Sequence, residues 1–270
     1  MPSTYRGLVR RHSPTVVTAL TDALATEPGR PLVTFYDGAS GERVELSVTT
    51  FANWVNKVAN LAEDLLLDPG DLVAVDLPTH WLSTVTLLGV WAAGMEVVLS
   101  SGKQPSPSIG AGSTGGTVCL SVVGPTATAD PAAWAGQVVA CSLRPLGGRF
   151  SDPLPNGWLD FAAEVPPQPD LMANPAPVRP DDVALRVAAG ATSHAELVKL
   201  GRDTAVTSAL RPGGRLLTDL NPTTPEGVAV ALVGPLVTGS SVVLLVNADG
   251  KTRGDIAHQE RVTCERFAAR

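Results

Sequence analysis

Lysine is scarce in this chain. Only four are present in 270 residues, at positions 57, 103, 199 and 251, and the 20 Lys and Arg are outnumbered by 26 Asp and Glu, for a formal net charge of −6. The arginines are scattered rather than run together. A nucleic-acid groove or an anionic membrane surface needs a clustered positive field, so the expected partners include neither. Cysteine is equally sparse: Cys119, Cys141 and Cys264 are odd in number, far apart and without C-x-x-C spacing. That pattern argues against a disulfide framework or a zinc site and fits buried free thiols in a reducing compartment. Apolar runs long enough to cross a bilayer are missing as well. Residues 85–99 are too few, and 228–246 are broken by Gly234-Pro235 and by Gly239, so both read as buried helix plus strand. Met1-Pro-Ser-Thr-Tyr-Arg-Gly7 has no apolar core followed by a small-residue cleavage site. No secretory signal is therefore expected, and the protein reads as soluble and cytoplasmic.

What is present is apolar and periodic. At 44% hydrophobic, the chain can bury roughly 70–75% of its unfolded surface in one large or two small units. Residues 13–27 suit a short amphipathic helix with Ser13 as cap and Pro14 in the first turn. Residues 31–37 and 42–47 read as two strands around Asp37-Gly-Ala-Ser-Gly41, a hairpin signal. Thr49 or Thr50 is expected to cap a helix to Leu67 with Phe51, Trp54, Val55, Val58, Leu61, Ala62 and Leu65 on one face. Asp68-Pro-Gly-Asp71 then breaks it, and strand 72–77, helix 80–94 and strand 95–99 follow. Residues 117–123, a short helix near 131–135, and 137–143 add a further strand–helix–strand. From 145 to 180 the chain carries nine of its 23 prolines. That composition fits a disordered linker, whereas Phe150, Trp158, Phe161 and Leu171 favour an ordered segment over the sheet.

The pattern is clearest from 182 to 246: strand 183–187, a loop, helix 195–210, strand 215–220, helix 225–238 and strand 241–246. Short apolar runs alternating with helix-length segments predict an α/β protein whose layered, mostly parallel sheets are joined by crossover helices. Three segments are expected: an α/β subdomain with an N-terminal hairpin (1–144), a proline-rich connector (145–181) and a second α/β unit (182–270). In parallel sheets ligands sit beyond the carboxyl ends of the strands, which places the candidate site at Ala188-Ala-Gly-Ala-Thr-Ser-His194. Gly190, Thr192 and Ser193 can offer amides and hydroxyls to a phosphate at a helix start. The plainer reading is an N-cap at Thr192 or Ser193 with Glu196 in the first turn. His194 is the fourth cofactor-binding candidate of this degenerate phosphate loop; its plainer reading is a helix-surface residue without an acidic or Cys partner nearby in sequence.

Other motifs are weaker. Gly110-Ala-Gly112-Ser-Thr-Gly115 is a literal G-x-G-x-x-G, but Pro-rich chain precedes it and a strand follows, so it reads as a connector rather than a dinucleotide turn. Ala111-Gly-Ser113-Thr-Gly115 lacks the first glycine and the strand-to-helix context of a hydrolase nucleophile. Arg144-Pro-Leu-Gly-Gly-Arg149 sets two cations beside a glycine pair; an anion site is the minority reading and solvated arginines the plainer one.

Taken in order, the hairpin at 34–48, the helix at 50–66, Pro69-Gly70-Asp71, the strand 73–77, and Trp91-Ala-Ala-Gly94 before Val97-Val-Leu99 resemble the opening of the acyl-adenylate-forming enzymes, the acyl-CoA synthetases and adenylation domains. Thr192-Ser-His-Ala-Glu-Leu197 resembles the helix start that follows that family's phosphate loop. The loop itself, rich in Ser, Thr and Gly and bearing a Pro-Lys pair, is shortened here by roughly eight residues when set against the motif. Lys199 lies on the following helix and does not replace the missing lysine by position. Asp219-Leu-Asn-Pro222-Thr-Thr-Pro-Glu-Gly227 keeps the Pro and Gly of a family segment near the acyl and adenine pockets, without its aromatic or His. Residues 255–263 resemble a later family helix.

The resemblance covers 14–263 and about the first half of the family's catalytic body. It implies that the Tyr-Gly-x-Thr-Glu-type segment, the ribose-binding Asp and the mobile C-terminal domain with its lysine lie outside this sequence. Losing two charge-assisted phosphate contacts costs roughly 1.5–3 kcal/mol each, about 10²–10⁴ in ATP affinity. The expectation is a non-catalytic relative without catalytic residues, metal or bound cofactor, whose role is binding or assembly as a homodimer or with another protein. ATP or AMP enters only if the residual loop still binds it. The alternatives are an AMP-forming acyl-adenylating ligase completed by a partner chain, and an acyl or nucleotide sensor.

Overall fold

A computed structural model describes residues 14–99 and 116–269. Helix α1 (Val16–Thr26) starts at Thr15, whose hydroxyl accepts from the Thr18 amide while Thr18 caps back onto the Thr15 amide. Strands β1 (Pro31–Asp37) and β2 (Arg43–Ser47) pair antiparallel as the expected hairpin. Helix α2 (Val48–Asp64) begins earlier than Thr49 or Thr50 would cap it, because Ser47 Oγ takes the Thr50 amide at 3.1 Å. Strand β3 (Leu72–Asp76), helix α3 (Trp81–Ala92), strand β4 (Glu96–Val98), β5 (Val118–Val123), β6 (Gln137–Ala140) and β7 (Trp158–Asp160) follow. The helix expected near 131–135 is instead a pair of short 3₁₀ turns, at Pro125–Ala129 and Pro131–Ala133, each opened by a proline. After helix α4 (Phe161–Glu164) come β8 (Val183–Val187), β9 (Gly190–Ser193), α5 (His194–Thr207), β10 (Arg215–Thr218), α6 (Pro225–Gly227), α7 (Gly234–Thr238), β11 (Ser241–Val246), α8 (Gly250–Gln259) and β12 (Cys264–Arg266).

The strands form two sheets, ordered β12-β10-β11-β1-β2 and β7-β6-β5-β3-β4-β8-β9. Pairing is parallel except in the hairpins β1–β2 and β8–β9. Neither sheet changes at the expected boundaries of 144 and 182. The first sheet joins β1 to β11, with Val33 opposite Val242, and the second joins β4 to β8, with Val97 opposite Leu185. Hydrophobic periodicity is a local signal and does not report which distant strands pair, so a division by sequence adjacency could not anticipate this interleaving.

Helix α3 is buried along its whole length, 12 residues with no solvent face, which is why its sequence is apolar all round rather than amphipathic. Each large side chain on it, such as Leu87, Leu88 and Trp91, contributes roughly 1.5–3 kcal/mol by leaving water. Helix α2 crosses it at Gly89, where a Cβ would lie 2.5 Å from Val58 Cβ. The segment 225–238, read from sequence as one helix, contains a π-helical turn at Val228–Val233. Pro235 has no amide to give and its ring would meet the carbonyl four residues back, so the helix widens and the Gly234 amide reaches Ala229 O instead. Thr204 Oγ1 of α5 also bonds Ala229 O, at 3.3 Å.

The proline-rich segment lies along α2. Asn60 Nδ2 donates to the carbonyls of Pro169 (2.9 Å) and Leu171 (3.1 Å), Asn56 Nδ2 to Asp170 O (2.7 Å), and Lys57 Nζ to Pro166 O (2.9 Å). Phe161 stacks on Trp54, whose ring meets Trp81 edge-on. At the other side of the molecule Glu260, at the end of α8, receives Tyr36, Arg43 and Arg215, tying α8 to β1, β2 and β10. The three cysteines are free and Cys141 is buried. Among the described residues no helix is long and apolar enough to cross a membrane.

Candidate functional site

The segment 188–194 is not a loop. Val187 pairs with Gly190, Arg186 with Ala191 and Leu185 with Thr192, so β8 and β9 form a hairpin with Ala188-Ala189 as its two-residue turn. Gly190 turns the chain back at φ +148°, a conformation side chains rarely adopt. The chain between β8 and α5 is just long enough for the two strands to pair, and that pairing takes up part of its backbone hydrogen bonding.

Of the four candidate residues, Ser193 and His194 are committed elsewhere. Gly190 is exposed at the turn, and Thr192 is half-buried in the ladder. Ser193 is the N-cap of α5: its hydroxyl accepts from the Glu196 amide at 3.3 Å, and the Glu196 carboxylate accepts from the Ser193 amide at 2.8 Å. Those hydrogen bonds hold the Glu196 carboxyl below its ordinary range. His194 is not on the helix surface; it is 1% exposed, edge-on to Trp91 with ring centroids 6.1 Å apart. Burial, only partly opposed by the charge of Asp182, lowers its pKa to about 4 and keeps the imidazole neutral. The signal for this was legible: His194 opens the stripe His194, Leu197, Val198, Gly201, Ala205, the buried face of α5.

The nearby cations are also engaged. Arg186 of β8 is paired with Glu96, the first residue of β4, which draws the guanidinium along the sheet away from the strands' carboxyl ends. Lys199 bonds Asp203 one turn on at 2.6 Å, exposed on α5. Beyond Leu99, whose amide bonds Arg186 O, the chain enters 100–115; Lys103 and the Gly110–Gly115 motif lie outside the described residues. Among the described residues, no group of three or more His, Cys, Asp or Glu could hold a metal ion.

The second segment of interest, 219–227, closes the seam between the two sheets. Asn221 Nδ2 and Thr223 Oγ1 both donate to Leu77 O, at 2.9 and 2.6 Å, and Thr79 Oγ1 donates to Asp219 O at 3.2 Å. Asn221 Oδ1 accepts the Thr223 amide and Thr224 Oγ1 donates to Asn221 O. Gly227 is required here: a Cβ would lie 1.8 Å from Asn221 O. The polar groups that could meet a substrate are instead bonded to neighbouring backbone and side chains. The Pro and Gly of this segment are legible in the sequence, whereas its bonds to Leu77 join residues distant in the chain and are not.

No family model matches the chain. A protein of Mycobacterium tuberculosis (strain ATCC 25618 / H37Rv), described as a TIGR03089 family protein, is 33% identical over 241 residues, 85% of this chain and 88% of that protein. Among solved structures, the acyl-CoA synthetase of Brucella canis superposes with a TM-score of 0.75 at 19% identity, covering 94% of this chain and 47% of its own. The anthranilate CoA ligase AuaEII, in complex with anthranoyl-AMP, gives 0.68 at 14% identity, covering 91% and 47%. The nonribosomal peptide synthetase FmoA3, in an AMPPNP-bound form, gives 0.64 at 22% identity, covering 93% and 25%. The fold is that of acyl-CoA synthetases and adenylation domains, as the ordered motifs of the sequence implied, and the chain spans less than half the length of these structures.

Proposed function

The chain belongs to the TIGR03089 family and carries an acyl-CoA synthetase fold, and from that premise we propose that it is a non-catalytic member of the fold with a binding or assembly role. The observation that carries this reading is the β8–β9 hairpin. Where the resemblance calls for a lysine-bearing phosphate loop, two alanines turn the chain and the following Ser193 and His194 are occupied by a capping box and by the core.

Adenylation forms an acyl phosphate anhydride, and its barrier is lowered by fixed donors and cations at the phosphates. Without them, roughly 10²–10⁴ in ATP affinity is forgone before any effect on the chemical step is counted. A binding role is supported by Leu200 and Val206 on α5, exposed by 41% and 79%, which a protein partner or second copy would cover.

ATP–pyrophosphate exchange with a panel of carboxylic acids tests the proposal. The expected result is no exchange above background from the purified chain. Exchange by the chain alone refutes the proposal, and exchange only with added cell extract would favour a ligase completed by a partner chain. Light scattering should show a dimer or a complex; a monomer at micromolar concentration with no co-purifying protein would remove the assembly role.

A further inference from the structure

His80 occupies the joint between the two sheets. It follows β3 of the second sheet and is the N-cap of α3, yet its ring packs on Phe35 of β1 in the first, with centroids 4.5 Å apart. It is 3% exposed. Its Nδ1 accepts the Leu82 amide at 3.1 Å, which fixes the proton on Nε2, and Nε2 is buried with no hydrogen-bond partner among the described residues. The same short stretch carries hydrogen bonds between the two sheets' connections: Leu77 O receives Asn221 and Thr223, and Thr79 reaches Asp219 O. Pro78 O and the His80 amide are bonded by Ser83 Oγ at 3.0 and 3.2 Å, so cap and seam form one unit.

We propose that this joint is acid-operated: protonation of His80 undoes the start of α3 and parts the two sheets at the Leu77–Trp81 stretch.

The geometry explains the lability. A proton added at Nδ1 would face the Leu82 N–H, turning the cap's acceptor into a second donor. The new charge would lie at the positive end of the α3 dipole, in an apolar setting between Phe35 and Trp81. The charged groups around it do not compensate. Asp37 at the end of β1 bears on it electrostatically, but its carboxylate is taken by Ala39 N, Ser40 Oγ and Asn247 Nδ2. Asp219 at the end of β10 accepts the Ala268 amide, and Asp76 closes β3; neither bonds the ring. Helix α3 itself contributes no charge.

Burial, opposed weakly by Asp37, lowers the folded-state pKa of His80 to about 4 from an ordinary value of 6.5. The unfolded or opened chain therefore binds the proton first. Stability attributable to a neutral His80 is intact above about pH 6.5 and is lost as the pH falls toward 4.

The test is an acid titration of the full chain followed by near-UV circular dichroism and tryptophan fluorescence, with far-UV signal as the measure of retained secondary structure. The near-UV signal should fall first, between pH 6 and 4. His80→Asn keeps an oxygen to accept the Leu82 amide but cannot titrate, and should move the near-UV midpoint roughly one pH unit lower. Equal midpoints for the two proteins would place acid lability in His194 or the carboxylates and overturn the proposal. Should His80→Asn fail to fold, imidazole NMR of the unaltered protein decides. An Nε2–H tautomer titrating below pH 5 is expected, and titration near 6.5 overturns it.

Discussion

Gly227→Ala should destabilise the protein by about 4 kcal/mol, a loss large enough to leave much of the chain unfolded at 37 °C. The added Cβ would stand 1.8 Å from Asn221 O, 2.5 Å from Asn221 C and 2.8 Å from Thr224 Oγ1. Neither Asn221 atom is the far end of a flexible side chain that can swing away. The Asn221 carbonyl accepts from the Thr224 amide at 3.0 Å and Thr224 Oγ1 at 2.8 Å, while the Asn221 side chain holds Leu77 O. Relieving the clash therefore pulls on the same bonds that join the two sheets. Urea unfolding measures the effect; a Gly227→Ala protein within 1 kcal/mol of the parent would show that the seam yields more easily than its bonding implies. Asn221→Ala is the milder companion, at about 2 kcal/mol, because it removes bonds without forcing the backbone to move.

Glu260→Ala should cost about 3 kcal/mol at neutral pH, since it leaves Arg215, whose side chain is 14% exposed, with Thr34 Oγ1 at 2.8 Å and the Glu45 carboxylate only at 3.7 Å. Arg43, 40% exposed, can turn to water or keep Glu45 at 2.7 Å, so its share of the loss is small. Burial pushes the Glu260 carboxyl upward, but hydrogen bonds from Tyr36 and Arg43 and the charges of Arg215 and Arg43 outweigh it and hold the group below the usual glutamate range. The folded-state pKa is therefore depressed. Its stabilising contribution is complete above the ordinary glutamate value and fades as the pH falls through the lowered one. The gap in unfolding free energy between parent and Glu260→Ala should narrow in acid. A gap of the same size at pH 7.5 and in acid would assign the loss to packing rather than charge.

Element type was legible along most of the chain because periodicity and punctuation agreed. The runs 31–37, 183–187 and 241–246 are strands as read, and the α2 stripe through Phe51, Val55, Val58 and Leu61 faces the core. What escaped reading depended on distance. Pairing of β1 with β11 and the Glu260 cluster both join residues far apart in sequence, and no local pattern marks them. The π-helical turn before Pro235 had a visible cause, a proline inside a helical run, but its form depended on Thr204 and Gly201 of α5. At the candidate site the shortened loop was visible as an absence, whereas its replacement by a strand pair, and the inward turn of His194, required knowing where β8 lies in the sheet.

The proposed non-catalytic role requires that the β8–β9 turn hold no triphosphate. Calorimetric titration of the purified chain with MgATP addresses this directly. The predicted result is a dissociation constant weaker than about 1 mM, or no measurable heat. Saturable binding at micromolar concentration would contradict a non-catalytic role without nucleotide.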